Sequence, residues 1–437
     1  MMVFPLKSII FAALSLKPSI AFHTLGCKLN FSETSTLSRQ FDKEGYIKKE
    51  FQQEADVYVI NTCSVTENAD KECKQLIRKV KKQNPDATVV ITGCYAQLKP
   101  EQIASIEGVD LVIGASEKFN IHTHLANYKK NGQAKICSCD IDEVGDFHSS
   151  FSLQDRTRTF LKVQDGCDYS CTFCTIPLAR GHSRSDSVRG VVDNAQELYA
   201  SGVQEIVLTG INLGDFGKGF QGARRHDENF FDLIKALDKD TPIPRYRISS
   251  IEPNLLTEEM IDYVANSAHF MPHFHIPLQS GDNEILAAMK RRYRRELYAE
   301  RVAYIKQAMP HCCIGVDVIV GFPGETEAHF QATYDFLHAL DISYLHVFTY
   351  SERANTPANE MKQVVPPSVR KERNAILRNL SDKKMNYFTE QHLGQLRPVL
   401  FEHAEKDGQM EGYSDNYIKV VKPYNPDWVN TIQDCII

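Results

Sequence analysis

Short apolar runs alternate with helix-length amphipathic stretches along most of this chain, and that alternation points to parallel sheets joined by helical crossovers. In the first 115 residues the runs are "SIAFHTLG", "DVYVINT" and "ATVVITG", with helical patterns over 32–45 and 66–82 between them. A cysteine follows each run at once: Cys27, Cys63 and Cys94, separated by 36 and 31 positions. In an open parallel sheet the carboxyl ends share one edge, which is also where ligands bind. The three thiols are therefore predicted to converge. One cysteine so placed would more often be a small buried hydrophobe, but three at one topological position point to a site.

Residues 115–155 read as a polar connector without clear period. A second series then supplies six strands, "TFLKVQDG", "EIVLTG", "RYRISS", "HFHIPLQ", "IGVDVIVGFP" and "YLHVFTY", with helical patterns over 188–201, 255–267, 294–309 and 326–340. Six such units make a three-quarter (β/α)6 barrel, with chemistry expected at the carboxyl ends of its strands. A basic helical linker over 370–384 leads to short alternating runs over 394–437, which read as a small β-barrel. The fold class is thus α/β with a β appendage. Its parts are an extension over 1–18 expected to be disordered, an N-terminal sheet unit over 19–130, a connector over 131–155, the barrel over 156–375 and the β unit over 376–437. A chain of 437 residues is long enough for such a set of cores. The apolar run Ile9–Leu16 is too short to span a bilayer and lacks a clean cleavage site. A cytoplasmic protein without membrane segments is expected. The formal net charge of −6 argues against non-specific coating of nucleic acid, which needs a broadly basic surface.

The first barrel strand runs into "DGCDYSCTFCTIPLARG", which sets Cys167, Cys171 and Cys174 within eight positions and supplies no fourth cysteine. Structural zinc wants four closed ligands, and the nearest further candidate is His182. A disulfide framework would leave an odd thiol and suits secreted chains. A [4Fe–4S] cluster fits better, three thiolates holding three irons and leaving the fourth open to a ligand.

With Phe173 just before the last cysteine, the spacing Cys-x3-Cys-x2-Cys resembles the radical S-adenosylmethionine superfamily. Together with Cys27, Cys63 and Cys94 the chain from about residue 20 onward resembles the methylthiotransferases, which carry an N-terminal domain, a radical domain and a TRAM domain. "TLGCKLNFSET" at 24–34 is most similar to the branch acting on N6-threonylcarbamoyladenosine at position 37 of tRNA. The resemblance implies two [4Fe–4S] clusters. Cys167, Cys171 and Cys174 would hold the one that splits S-adenosylmethionine to a 5'-deoxyadenosyl radical. Cys27, Cys63 and Cys94 would hold an auxiliary cluster that carries the sulfur to be inserted. It also implies two equivalents of S-adenosylmethionine per product, tRNA as partner and a one-electron donor such as flavodoxin or ferredoxin; the sequence leaves the oligomeric state open, a monomer being expected. Adenine C2 bears an unactivated C–H that neither base nor nucleophile addresses at neutral pH, so a radical route answers a real need. Both open irons would then face one target base, with the sheet edge over the barrel's mouth.

Further residues follow the same face, most at strand ends and Asp317 within the fifth strand. Gly210 and Asn212 in "LTGINLGDF", Ser249 and Glu252 in "SSIEP", Gln279 in "HIPLQSGD" and Asp317 in "DVIVGFPGET" are the candidates for binding S-adenosylmethionine; singly, each suits a turn or cap equally well. "MKRRYRRELYAER" gathers Lys290, Arg291, Arg292, Arg294 and Arg295 around Tyr293, a cluster suited to phosphates or to a solvated helix face. From Ser381 onward there are six Lys or Arg against nine Asp or Glu, so the β unit is not broadly basic. Competing readings are a methylthiotransferase acting on a ribosomal protein or on isopentenyl-adenosine in tRNA, and a nucleic-acid-binding protein with structural or redox clusters. The remaining cysteines, Cys137 and Cys139 among them, read as structural.

Overall fold

The computed structural model describes residues 17–63, 67–218 and 227–437. The extension read over 1–18 lies outside these up to Leu16. The N-terminal unit runs β1 (Ser19–Thr24), α1 (Lys28–Lys43), β2 (Ile47–Lys49), β3 (Val57–Thr62), α2 (Glu67–Gln83), β4 (Thr88–Gly93), α3 (Cys94–Leu98), α4 (Pro100–Ala104), β5 (Leu111–Ile113), α5 (Ile121–Ala126) and β6 (Lys135–Cys137). Its six strands pair in parallel in the order β2-β1-β3-β4-β5-β6. Every residue of β3 is buried, as expected of a central strand covered on both faces. The region read as connector therefore belongs in part to the N-terminal unit: helix α5 and the edge strand β6 of its sheet lie within 115–155. Three residues, "KIC", are too few to show a period.

Gly93 turns the chain from β4 into α3 at φ 97°, and a Cβ there would lie 2.3 Å from Thr62 O and 2.6 Å from Thr62 N. Gly93→Ala is expected to destabilise by about 2–4 kcal/mol through left-handed strain plus a backbone clash. Thermal melting checks this, and a melting point equal to wild type would remove the constraint.

The second unit runs β7 (Ser150–Phe151), β8 (Arg158–Lys162), β9 (Gln164–Asp165), α6 (Ile176–Arg180), β10 (Arg184–Ser185), α7 (Val188–Ala200), β11 (Glu205–Thr209), α8 (Phe230–Asp240), β12 (Arg245–Ile248), α9 (Glu258–Asn266), β13 (His273–Gln279), α10 (Asn283–Ala288), α11 (Arg295–Ala308), β14 (Cys313–Val320), α12 (Glu327–Ala339) and β15 (Tyr344–Thr349). Strands β8, β11 and β12 are parallel, as are β13, β14 and β15, and the bridges Tyr246–Phe270 and Ser250–His275 join the two halves. Leu161, Ile206, Ile248, Ile276 and Val316 belong to one continuous core with the helices outside. Ser187, Thr257, Asp282 and Thr326 cap α7, α9, α10 and α12 by accepting from backbone N–H groups, which fixes where each crossover helix begins.

Helix α13 (Pro367–Glu390) packs on β15, with Ser381 Oγ accepting from Leu345 N at 2.8 Å. The boundary read at 375/376 thus falls inside one continuous helix. Strands β16 (Leu396–Lys406), β17 (Gln409–Ser414), β18 (Lys419–Pro423) and β19 (Ile432–Ile436) form an antiparallel, curled sheet in the order β18-β17-β16-β19. It docks on the amino end of β12: Arg245 donates to Pro398 O at 2.8 Å and Arg247 to Asp415 O at 3.1 Å. Among the described residues no helix is long and apolar enough to cross a membrane.

Candidate functional site

Cys27, Cys63 and Cys94 stand at the carboxyl ends of β1, β3 and β4. Backbone and amide bonds stitch these ends together. Leu25 N donates to Asn61 O at 2.8 Å, Thr62 Oγ1 to Thr92 O at 2.5 Å, and Asn30 Nδ2 to both Leu25 O and Thr62 O at 2.9 and 3.0 Å. Gly26, at φ 99°, lies so close to Cys63 that a Cβ would sit 2.8 Å from its Sγ. Cys27 begins the 16-residue helix α1, which has no capping side chain and no acid in its first turn, leaving the positive pole of the helix free for an anion.

The other three cysteines lie on a loop whose ends are tied by the antiparallel pair β9 and β10, Asp165 opposite Arg184 and Gln164 opposite Ser185. None of the chain's twelve cysteines is in a disulfide. Cys167 Sγ accepts from Tyr169 N at 3.4 Å, Cys174 Sγ from Ile176 N at 3.5 Å, and Cys171 Sγ from Arg291 Nη1 at 3.1 Å. Burial pushes the Cys167 and Cys174 thiols up to about 12, and raises those of Cys171 and Cys94. As thiolates they need cationic partners, which iron supplies. Sulfurs approached by N–H donors match the hydrogen bonding that tunes Fe–S clusters.

A buried ion network joins the two cysteine sets. Glu33 on α1 meets Lys118 at 2.6 Å, Lys162 at 3.2 Å and Arg180 at 3.1 Å; Arg180 also meets Asp165 at 2.8 Å and donates to Asn30 Oδ1 at 2.6 Å, and Arg184 reaches Asp165 at 3.4 Å. Burial alone would raise the Glu33 carboxyl, but Arg180, Lys118 and Lys162 hold it well below the usual carboxylate range. Asn30 is bonded to the carbonyl preceding Cys63, and Asp165 Oδ1 accepts from Gly166 N just before Cys167, so the network runs from one set to the other. A void of about 20 Å³ among Glu33, Cys94, Lys162 and Arg180 has room for one water. Four cations face three carboxylates here, Glu33, Asp165 and Asp146, and the surplus positive charge sits beside Cys94. An anionic, thiolate-ligated cluster would balance it. Both thiol sets thus fit iron–sulfur groups.

A cavity of about 860 Å³ is walled by both units: Cys27, Lys28 and Cys63 on one side, and Gly210 and Ser249 from barrel strand ends and Asp317 from within β14 on the other. Glu252 takes a hydrogen bond from Arg291, the same guanidinium that touches Cys171. Burial raises the Glu252 carboxyl despite Arg291. Asn212 Nδ2 donates to Asp215 at 2.9 Å while its buried Oδ1 lacks a partner, an acceptor free for a ligand amine. Gln279 ends β13 at φ 71°, beside a register shift. Asp317 Oδ1 lies 2.8 Å from His275 Nε2 and 3.4 Å from His346 Nδ1; both imidazoles outweigh burial and lower its carboxyl.

The basic cluster needs correction. Arg291 turns inward to Glu252 and Cys171 because Lys290 adopts a left-handed turn at φ 56°, so its guanidinium does not join a phosphate-facing patch. Arg292 lies 3.9 Å over the Tyr169 ring, and Arg295 donates to Gly281 O at 3.2 Å; Lys290, Arg292 and Arg294 are exposed and Arg295 half-buried. Glu33, Arg156, Lys162 and Arg180 were not singled out by sequence reading. The local signal for Glu33 is the helix α1, whose buried side includes Asn30, Ser32, Glu33 and Thr34.

Residues 19–114 match the uncharacterized protein family UPF0004, and residues 161–337 the Radical SAM superfamily. The chain is 41% identical over 424 residues to threonylcarbamoyladenosine tRNA methylthiotransferase MtaB of Bacillus subtilis (strain 168), covering 95% of this chain and 92% of that protein. It is 40% identical over 408 residues to the MtaB of Aquifex aeolicus (strain VF5), covering 91% and 97%. A tRNA-2-methylthio-N(6)-dimethylallyladenosine synthase of Staphylococcus epidermidis is 33% identical over 410 residues, covering 90% and 77%. Among solved structures, the radical S-adenosylmethionine methyltransferase TsrM from Kitasatospora setae, with cobalamin and a [4Fe-4S] cluster bound, aligns with TM-score 0.58 at 16% identity, covering 79% of this chain and 77% of that one. That likeness concerns the fold alone.

Proposed function

Because this chain belongs to the radical S-adenosylmethionine family of tRNA methylthiotransferases, we propose that it inserts sulfur and a methyl group at C2 of N6-threonylcarbamoyladenosine at position 37 of tRNA. Cys167, Cys171 and Cys174 hold one [4Fe–4S] cluster, and Cys27, Cys63 and Cys94 a second. When bound, the first supplies the electron that cleaves S-adenosylmethionine, and with it radical reactivity toward an unactivated C–H, while the second supplies sulfur. The chain's own groups bind and orient. Gly210, Asn212, Ser249, Glu252, Gln279 and Asp317 form the wall against which S-adenosylmethionine lies, and Lys290, Arg292, Arg294 and Arg295 meet RNA phosphates. A flavodoxin or ferredoxin is the electron donor, and the enzyme works as a monomer in the cytoplasm.

The observation that carries this reading is the cavity walled by Cys27 and Cys63 of one unit and by Gly210, Ser249 and Asp317 of the other. A base drawn out of the anticodon loop would meet the Cys27 and Cys63 thiols there, with the barrel residues Gly210 and Ser249 opposite. The threonylcarbamoyl substrate is favoured over dimethylallyladenosine by the higher identity to the relatives named for it, 41% against 33%.

Nucleoside analysis of tRNA from a strain lacking the gene tests the reading: loss of the methylthio mark from threonylcarbamoyladenosine supports it, and an unchanged nucleoside profile counts against it. Protein purified without air is expected to carry about eight irons per chain. About four would remove the auxiliary cluster and sulfur insertion with it.

A further inference from the structure

Four cations line the cavity, Lys28, Arg156, Arg158 and Arg247, against two acids, Glu72 and Asp317. Most are already committed. Arg247 is held by Glu205 at 3.0 Å, Arg158 by Glu402 at 2.8 Å, and Asp317 by its two imidazoles. Lys28 differs, since no hydrogen bond or ion pair joins it to a described residue, and its open surface faces the cavity. It shares a face of α1 with Phe31, three residues on. The Arg156 guanidinium, which likewise has no described ion pair, lies 5.4 Å from the Phe31 ring centre and 4.9 Å from that of Phe160. An aromatic plane flanked by two unpaired cations therefore sits beside Cys27. A cation with no ion pair of its own at the cavity wall is a seat for a ligand carboxylate, which would form a charge-assisted contact there.

Resting on the substrate reading above, we propose that Lys28, with Arg156 flanking it, is the seat for the carboxylate of the threonyl group and so selects the threonylcarbamoyl nucleoside. The chemistry of the substrates separates them here. A threonylcarbamoyl substituent ends in a free carboxylate and hydroxyl. A dimethylallyl substituent carries five carbons and no polar group, and would leave both cations unpaired. A site built to pair a polar group rejects analogues lacking it far more sharply than an apolar pocket rejects an extra methyl. Arg156 contributes a planar donor on the aromatic side, and Lys28 a point charge on a flexible stem.

The test uses the full, iron-loaded chain and two anticodon stem-loops bearing threonylcarbamoyladenosine, one with the free carboxylate and one capped as the neutral amide. Wild type is expected to prefer the free acid by roughly 10- to 100-fold in kcat/KM, the discrimination of one charge-assisted contact. In Lys28→Ala that preference should fall to within a few-fold of unity, and Lys28→Arg should restore part of it. Iron content is measured on each variant, because Lys28 adjoins Cys27. A Lys28→Ala protein that loses iron, or loses both stem-loops in equal proportion while keeping the preference, assigns Lys28 to the auxiliary cluster and overturns the seat. A wild type indifferent to the amide cap overturns it too. A wild type that ignores both stem-loops and modifies another adenosine fails the substrate reading itself, and the seat goes with it.

Discussion

Alanine in place of Cys167, Cys171 or Cys174 is expected to abolish 5'-deoxyadenosine formation, by at least roughly 1,000-fold, whereas alanine at Cys27, Cys63 or Cys94 should leave it within a few-fold of wild type and remove only the methylthio product. The separation follows from where the thiols stand. The first set sits on one short loop closed by the β9–β10 pair, and its sulfurs take hydrogen bonds from Tyr169 N, Ile176 N and Arg291, all within the barrel unit. The second set is held by the ends of β1, β3 and β4, through Asn30 and Thr62, in the N-terminal unit. Removing a ligand from either set leaves the other loop's backbone untouched. Each variant should lose about four of about eight irons. Product formed by Cys63→Ala at the wild-type rate, or 5'-deoxyadenosine persisting in Cys171→Ala, would falsify the division of labour.

The second large effect lies in the ion network. Glu33→Ala strands Lys118, Lys162 and Arg180 without their shared carboxylate in a buried interior. Breaking a buried pair from one side costs about 3–5 kcal/mol, enough to lower melting by several degrees. Arg180→Ala should cost a similar amount, and the double variant clearly less than the sum, because the two pair directly with each other. Sign follows from the Glu33 carboxyl. It is held well below its ordinary value by the three cations, so its stabilising contribution is complete above the unfolded carboxyl's pKa and fades as pH falls toward the folded one. Wild type should thus lose stability on acidification through that range, and Glu33→Ala should lose less. Additive variants, or a Glu33→Ala protein with the same acid dependence as wild type, would show that these charges act independently.

Much of the architecture was legible in the sequence, because strands such as "VYVIN" and "VDVIV" are long apolar runs and the crossover helices start at Ser187, Thr257 and Thr326, residues whose capping chemistry is local. The three strand-end cysteines were legible for the same reason, since topology alone gathers carboxyl ends on one edge. Short pieces escaped. "KIC" of β6 is held by its neighbour β5 rather than by its own pattern. Glu33 and Lys162 lie 129 positions apart, and Arg180 and Asn30 lie 150 apart, so no window of sequence shows that they meet. Arg291 was misread for a related reason. A run of arginines looks uniformly solvated until Glu252, from another strand end, captures one of them.

The unbroken α13 has a consequence for how a large substrate is held. Its 24 residues make a strut roughly 36 Å long, fastened along β15 at one end and running straight into the terminal sheet, which is itself clamped by Arg245 and Arg247. The appendage is delivered as a fixed jaw of a caliper, not as a tethered hand. An RNA touching both jaws forfeits no hinge freedom on arrival, and its span must match a gauge already set when the polypeptide folded.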